Sequence, residues 1–321
     1  MSLHPGDLLD HFELESVVAA SGMATVFRAR DVRTGETVAI KVPHPEIESD
    51  PTLFDRFIRE EEIGTKINHP GVMKVLKNPD RSQVYMVMEW LDGRLLRQIM
   101  NEQKRLPVER AVKLTVGILR ALEHIHAEGV VHRDLKPENI MVGPGDAVHL
   151  IDFGIAAQAG ARRLTFAHFS QSMGTPDYIS PEQVRGKRGD ARSDIYEVGV
   201  MLYEMLTGTV PFRGENPFAV MNDRLLNQPV PPRELNPAIT PQMQEIIYRA
   251  LEREPKNRYA SAREMAHDLE HQEQVGVADR PEAAEWRKRQ SPGRRRVLFY
   301  GLLALIPVAI FVVMWLVARG R

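Results

Sequence analysis

The chain predicts an α+β fold in which strands crowd the amino-terminal third, helices fill the middle and one uncharged span closes the carboxyl end. Three observations carry this. Short runs rich in β-branched and aromatic residues occur at 12–14, 25–29, 38–41 and 84–91, separated by turn-forming residues. Beyond them the apolar period becomes helical, at 108–128, 193–206, 218–226, 241–252 and 261–271. Residues 297–317 then run 21 positions without a charge.

Composition limits the function classes. With 321 residues, 43% of them apolar, the chain can bury a sizeable core. The lack of cysteine excludes disulfides, thiolate metal sites and a cysteine nucleophile, and fits a reducing compartment. The net charge of −1 hides an asymmetry, because residues 287–321 hold eight Lys or Arg and no acid, which leaves −9 on residues 1–286. So acidic a body argues against a nucleic-acid partner, since phosphate backbones are held by clustered Lys and Arg.

Residues 1–10 form an amino-terminal segment without the basic start and apolar run of a secretory signal, so the amino end is expected in the cytoplasm. From His11 to Arg30 two strands flank the turn Ala19-Ala20-Ser21-Gly22-Met23-Ala24. Val38-Ala39-Ile40-Lys41 is a third strand by its β-branched content. Phe54 to Ile67 has helical spacing, with Phe54, Phe57, Ile58, Ile63 and Ile67 apolar; Glu61 and Glu62 read as solvated helix charges. Val84 to Leu91 is a buried strand stopped by Asp92-Gly93. The helix at 108–128 presents Ala111, Leu114, Ile118, Leu122 and Ile125 on one face and ends at Gly129. Its His124 and His126 are two apart, do not face each other, and so do not make a metal pair. Ile140-Met141-Val142 and Val148-His149-Leu150-Ile151 form a hairpin around Gly143-Pro144-Gly145-Asp146. Residues 158–173 are polar, irregular and long for an idle loop. The apolar helix at 193–206 starts at Ser193-Asp194, with Asp194 as its cap. Residues 272–296 are a polar to basic linker, 297–317 is long enough to cross a hydrocarbon core of about 30 Å, and 318–321 is a short tail. Six basic residues precede the span and two follow it, which places the body in the cytoplasm.

The densest chemical signal is His132-Arg133-Asp134-Leu135-Lys136-Pro137-Glu138-Asn139, followed thirteen positions after Asn139 by Asp152-Phe153-Gly154. An aspartate that accepts a hydroxyl proton, with an asparagine and a second aspartate to hold a hard cation, is what phosphoryl transfer requires. In these residues the chain resembles the eukaryotic-type (Hanks-type) protein kinases, more closely the Ser/Thr kinases of bacteria, over about residues 11–271.

The resemblance implies the two-lobed protein-kinase fold, with a small β-rich lobe at about 11–88, a larger helical lobe at about 92–271, and a carboxy-terminal transmembrane anchor beyond. It implies ATP, with Mg²⁺ or alternatively Mn²⁺, and transfer of the γ-phosphoryl group to Ser or Thr of protein substrates. Lys41 would reach the α and β phosphates, paired with Glu60; backbone groups of Glu89 and Leu91 would hold adenine; Val26, Ala39, Met88 and Met141 would wall it. Asp134 and Lys136 would be catalytic, the lysine marking a Ser/Thr kinase, while Asn139 and Asp152 would bind the metal. Arg133 would receive a phosphorylated residue of the activation segment, for which Thr165, Ser170 and Ser172 are the candidates, so autophosphorylation is expected. Thr175 would contact Asp134 and Lys136, Asp194 would brace the catalytic loop, and Glu182 would pair structurally with Arg258.

One stretch departs from the family. Ala19, Ser21 and Ala24 replace the three glycines of the nucleotide loop, and only Gly22 remains glycine within it. Each residue forced to positive φ there would cost roughly 1 kcal/mol, so the loop closes without strain only if its backbone stays extended. The depletion motivates an alternative of another class, a membrane-tethered pseudokinase or scaffold with weak nucleotide binding. The retention of Lys41, Glu60, Asp134, Asn139 and Asp152 favours catalysis. The further partners expected are the lipid bilayer and, in one compatible form, a second copy of the chain; the location expected is a bacterial inner membrane, single-pass.

Overall fold

Residues 3–152 and 177–278 are described by the computed structural model. Phe153, Gly154, Thr165, Ser170, Ser172, Thr175 and the 297–317 span lie outside the described residues. Among those described, no helix is long and apolar enough to cross a membrane. The elements below belong to one compact unit, Met1–Val277.

The first lobe is an antiparallel sheet of β1 (Leu8–Leu9), β2 (Phe12–Ala20), β3 (Ala24–Asp31), β4 (Thr37–Pro43), β5 (Val75–Leu76) and β6 (Met86–Glu89), in the order β1-β2-β3-β4-β6-β5. Alternation sets its inner face: Leu14, Phe27, Ala29, Val38, Ile40 and Val87 are buried together. Helices α1 (Pro45–Ser49) and α2 (Pro51–Gly64) interrupt the sheet. Helix α2 starts three residues before the position read from apolar spacing, because Asp50 caps it by accepting the Thr52 N–H at 2.8 Å and Pro51 suits its first turn. It also ends before Ile67, at a glycine against which the chain packs closely: a Cβ on Gly64 would lie 2.2 Å from Val75 Cγ2.

After β6 the chain forms a three-stranded sheet of β7 (Arg94–Leu95), β8 (Ile140–Val142) and β9 (Val148–Leu150), with α3 (Leu96–Gln103) and α4 (Val108–Ala127) inserted between β7 and β8. Among the described residues the remaining α-helices are α5 (Pro181–Val184), α6 (Ala191–Thr207), α7 (Pro217–Leu226), α8 (Pro232–Leu235), α9 (Pro241–Ala250) and α10 (Ala262–Glu270). The larger core centres on α4 and α6. Every apolar position named for α4 is buried, and α6 is buried on nearly all sides. The cap of α6 is Asp190, whose side chain accepts the Arg192 N–H, so the helix begins two residues before Ser193 and Asp194 is released for another task. Helix α3, and the one-turn helices α1, α5 and α8, are too short or too little periodic to have been read from the sequence.

Candidate active site

Lys41 stands on β4, opposite Val26 of β3 and Met86 of β6. Glu60 lies three residues after the buried Phe57 and so shares its inward face of α2. The Lys41 ammonium donates to Glu60 Oε1 at 2.6 Å and lies 3.6 Å from Asp152 Oδ1. Burial opposes the charge on Lys41, but the carboxylates of Asp152 and then Glu60 outweigh it and raise its pKa. Burial pushes the Glu60 carboxyl up to about 7 against the pull of Lys41.

Two acids of α6 brace the catalytic loop. Asp194 Oδ2 accepts the His132 N–H at 2.9 Å, its Oδ1 accepts the Arg133 N–H at 2.7 Å, and His126 Nε2 lies 2.7 Å from Oδ2. Glu197, one turn further on, accepts the Leu135 N–H at 2.8 Å. Gln183 of α5 donates to the Arg133 carbonyl at 2.9 Å. These bonds hold Arg133 in left-handed backbone at φ 66°. Burial would raise the Asp194 carboxyl, yet the bond from His126 and the charges and N–H groups around it lower it overall. Burial, then the neighbouring Asp194 charge, lifts the Glu197 carboxyl well above the usual range.

With its backbone so fixed, Asp134 meets Lys136 and Asn139. Lys136 Nζ donates to Asp134 Oδ2 at 2.7 Å, and Asn139 Nδ2 donates to the Asp134 carbonyl at 2.8 Å. Burial raises the Asp134 carboxyl, with Lys136 pulling the other way, and Asp152 adds to the rise. The β8–β9 hairpin pairs Ile140 with Leu150, and the Ile151 N–H donates to the Asn139 carbonyl at 3.1 Å, so Asn139 and Asp152 leave the hairpin side by side. Since the Asn139 amide nitrogen is engaged with Asp134, its oxygen is the atom a hard cation would take, together with the Asp152 carboxylate. Among the described residues no group of three His, Cys, Asp or Glu could hold a metal. A two-residue oxygen set suits a divalent ion bound partly through substrate phosphates.

The nucleotide loop closes the β2–β3 hairpin with Ala19 opposite Val26 and Ala20 opposite Thr25. No residue from Ala19 to Ala24 has a positive φ, so the replaced glycines bring no backbone strain. Ser21 shapes the tip instead: its hydroxyl accepts the N–H groups of Met23 and Ala24, each at 3.2 Å, and donates to the Ala24 carbonyl at 3.1 Å. Nothing lies within 4 Å of a Cβ built on Gly22. Val26, Ala39, Met88 and Leu91 join one apolar cluster with Phe57, Met73, Val75 and Ile151. Met141 is outside it, half-buried on β8 beside Gly93. Glu89 ends β6, and its side chain accepts the Lys74 N–H at 2.7 Å.

Glu182 and Arg258 form a buried two-pronged ion pair at 2.7 and 2.6 Å. Several polar partners had no signal in the sequence. Arg97 of α3 donates to Glu138 Oε1 at 2.7 Å, to Glu204 Oε1 at 2.9 Å and to the Tyr178 hydroxyl, tying the catalytic loop to α6 and to the chain before α5. Glu61 is not a solvated helix charge, since Arg81 grips both its oxygens at 2.6 and 3.0 Å; Glu62 is exposed.

Residues 12–270 match the protein kinase domain family. The chain belongs to that family. Among its relatives, this kinase domain is 40% identical over 271 residues to the probable serine/threonine-protein kinase SCO3848 of Streptomyces coelicolor, covering 83% of this chain and 40% of that protein. It is 38% identical over 270 residues to serine/threonine-protein kinase PknB of Mycolicibacterium smegmatis, covering 83% of this chain and 43% of that one. The chain thus spans less than half the length of these curated relatives. In fold it is similar to the crystal structure of the Mycobacterium tuberculosis PknI kinase domain, with a TM-score of 0.66 and 24% identity over 85% of this chain and 100% of that one. Membership of the family implies use of ATP and a divalent metal, which the oxygen donors of Asn139 and Asp152 fit.

Proposed function

We propose that the chain is a membrane-anchored Ser/Thr protein kinase that transfers the γ-phosphoryl group of ATP to protein hydroxyls and autophosphorylates its activation segment. The observation that carries this is the meeting of two ion-paired sets. Asp152, 3.6 Å from Lys41, is also near enough to Asp134 and Lys136 to act on the charge of both. The Asp134 carboxylate accepts the proton of the attacking Ser or Thr hydroxyl as its oxygen bonds to the γ-phosphorus and the bond to the departing ADP oxygen breaks. Lys136 and Lys41 offset the charge on the transferred group and on the remaining phosphates, and the Glu60 partner fixes where Lys41 stands. Asn139 and Asp152 would hold Mg²⁺ or Mn²⁺, which supplies neutralisation of phosphate charge when bound.

Regulation rests on Arg133, which lies close enough to Arg188 for the like charge, after burial, to lower its pKa; such a basic pair suits a phosphorylated Thr165, Ser170 or Ser172. The anchor rests on the uncharged 297–317 span and the six basic residues before it, which put the kinase domain on the cytoplasmic side of a bacterial inner membrane. A second copy in the same bilayer is the natural partner for phosphorylation between chains.

The test uses the full chain in membranes with γ-labelled ATP and Mg²⁺, beside Asp134→Asn and Lys41→Met. Label on Ser or Thr that disappears in both variants is expected, and extraction with alkaline carbonate should leave the chain in the membrane pellet. Intact nucleotide binding without label on the chain or on generic acceptor proteins would defeat the catalytic reading, and release by carbonate the anchor.

A further inference from the structure

Helix α2 is lightly docked. Its buried residues are Phe57, Glu60, Ile63 and Gly64, two of them apolar side chains, so packing alone leaves it rotational freedom. Successive residues of a helix point about 100° apart. Glu60 is held by Lys41 of the sheet and, next to it, Glu61 is held by Arg81 of the loop between β5 and β6. One ion pair fixes a distance; two on faces about 100° apart fix a rotation.

The anchor of Arg81 is itself built in. Arg81 Nη1 donates to Glu61 Oε1 at 2.6 Å and to the Tyr85 carbonyl at 2.5 Å, while Nη2 donates to Glu61 Oε2 at 3.0 Å. The side chains are mostly withdrawn from solvent, at 20% and 14% exposure, which lifts the pair out of the class of surface ion pairs that contribute little. Tyr85 is fully buried, its hydroxyl donating to Asp10 Oδ2 at 2.5 Å and accepting from Asn78 Nδ2 at 2.8 Å. Asp10 in turn accepts the Ser82 N–H at 3.1 Å, so the loop that bears Arg81 is tied across itself through Asn78 and Tyr85, and to the turn between β1 and β2 through Ser82 and Tyr85. We propose that Arg81, acting through Glu61, is a positioning residue that holds α2 in the rotation presenting Glu60 to Lys41. This rests on the reading that the Lys41–Glu60 pair serves ATP.

Two readouts on the full chain separate positioning from plain bracing: phosphotransfer, and the rate at which Lys41 is modified by an amine-reactive reagent at fixed pH, mapped by mass spectrometry. Lys41 is protected while Glu60 bonds its ammonium, so opening of the pair exposes it. In Arg81→Ala, Lys41 labelling should rise and kcat/KM should fall, each by about tenfold or more, since charge-assisted bonds of this kind bias an equilibrium by roughly one to two powers of ten. Glu61→Gln, which keeps the side-chain shape, should move both readouts the same way and carries the test if Arg81→Ala does not fold. Arg81→Lys, with one prong in place of two, should fall between. Labelling and turnover within twofold of wild type in these variants, with only the melting temperature lowered, would overturn the proposal. Were the wild type to lack phosphotransfer, the labelling readout would still decide the clamp.

Discussion

Replacing Arg258 by methionine tests the largest buried electrostatic unit of the helical lobe. The Arg258 side chain has no exposure and Glu182 retains 6%. Its guanidinium makes five bonds: two to Glu182, and one each to the carbonyls of Glu252 at 2.7 Å, Arg192 at 2.9 Å and Arg253 at 3.1 Å. Methionine fills much of the volume over the Tyr196 ring but strands the Glu182 carboxylate with only the Ser193 hydroxyl, at 2.7 Å, among these donors. Breaking one side of such a pair costs about 3–5 kcal/mol, which for a domain of this size lowers the melting temperature by about 6–20 °C. Thermal unfolding of the full chain measures it. The companion is Arg258→Met with Glu182→Leu, in which both charges go and the loss should shrink to about 1–2 kcal/mol, the remainder being the orphaned carbonyls. A single variant within about 1 kcal/mol of wild type, or a double variant no better than the single, would refute the reasoning. The pH dependence has a definite sign. Burial would raise the Glu182 carboxyl, but Arg258 holds it below its ordinary value, so its contribution is complete above the unfolded pKa of about 4.3 and is lost as pH falls through the lower folded value. Wild-type stability should therefore drop more steeply in acid than that of Glu182→Gln.

The braces of the catalytic loop should respond oppositely to amide substitution. Asp194→Asn surrenders charge-assisted bonds from His126 and two loop N–H groups, which predicts a loss of about 2–4 kcal/mol in unfolding and a fall in kcat of at least tenfold. Glu197→Gln should cost less than Asp194→Asn in both assays, because burial and the neighbouring Asp194 charge disfavour a charge on Glu197; with its folded pKa raised, the wild type loses stability relative to this variant as pH climbs above the unfolded value of about 4.3. Ser21→Gly frees the Met23 and Ala24 N–H groups for phosphate and should lower the ATP KM about threefold with kcat little changed, as steady-state kinetics would show. Gly64→Ala should cost about 1–3 kcal/mol by driving a methyl into Val75, measured by denaturant unfolding.

What the sequence makes legible follows the range of the interaction. The eight residues from His132 to Asn139 and the hairpin leading to Asp152 are local, so their chemistry is written within a few positions. The long helices are legible for the same reason: α4 repeats an apolar face over several turns, and α6 is apolar along most of its length. The partners of these local features are not. Glu197 reaches Leu135 across 62 positions, Arg97 reaches Glu204 across 107, and no local periodicity records either bond. Glu61 looks like one of two solvated acids because the arginine that claims it lies 20 residues away in a loop without regular structure. The depleted glycine loop is not legible as a closed tip, since a hydroxyl accepting two N–H groups shapes here what glycines otherwise shape by their conformational freedom.

The placement of Asp134 is a property of α6 more than of the loop that contains it. A non-glycine residue at φ 66° costs of order 1 kcal/mol, and Arg133 occupies that conformation immediately before Asp134. Left to itself such a turn would relax. Asp194 and Glu197, three apart and hence on one face of α6, take the N–H groups of residues 132, 133 and 135, while Gln183 takes the carbonyl of 133. Burying two acids side by side is unfavourable, and their surroundings push them apart: the donors around Asp194 lower its carboxyl and favour its charge, whereas burial and the Asp194 charge raise that of Glu197. That division permits a helix apolar enough to centre the core to reach into a polar loop. Rigidity of the core is thereby passed to the carboxylate proposed to accept a proton, so a cavity in α6, such as Met201→Ala, is expected to lower kcat through the same bonds, as steady-state kinetics would show.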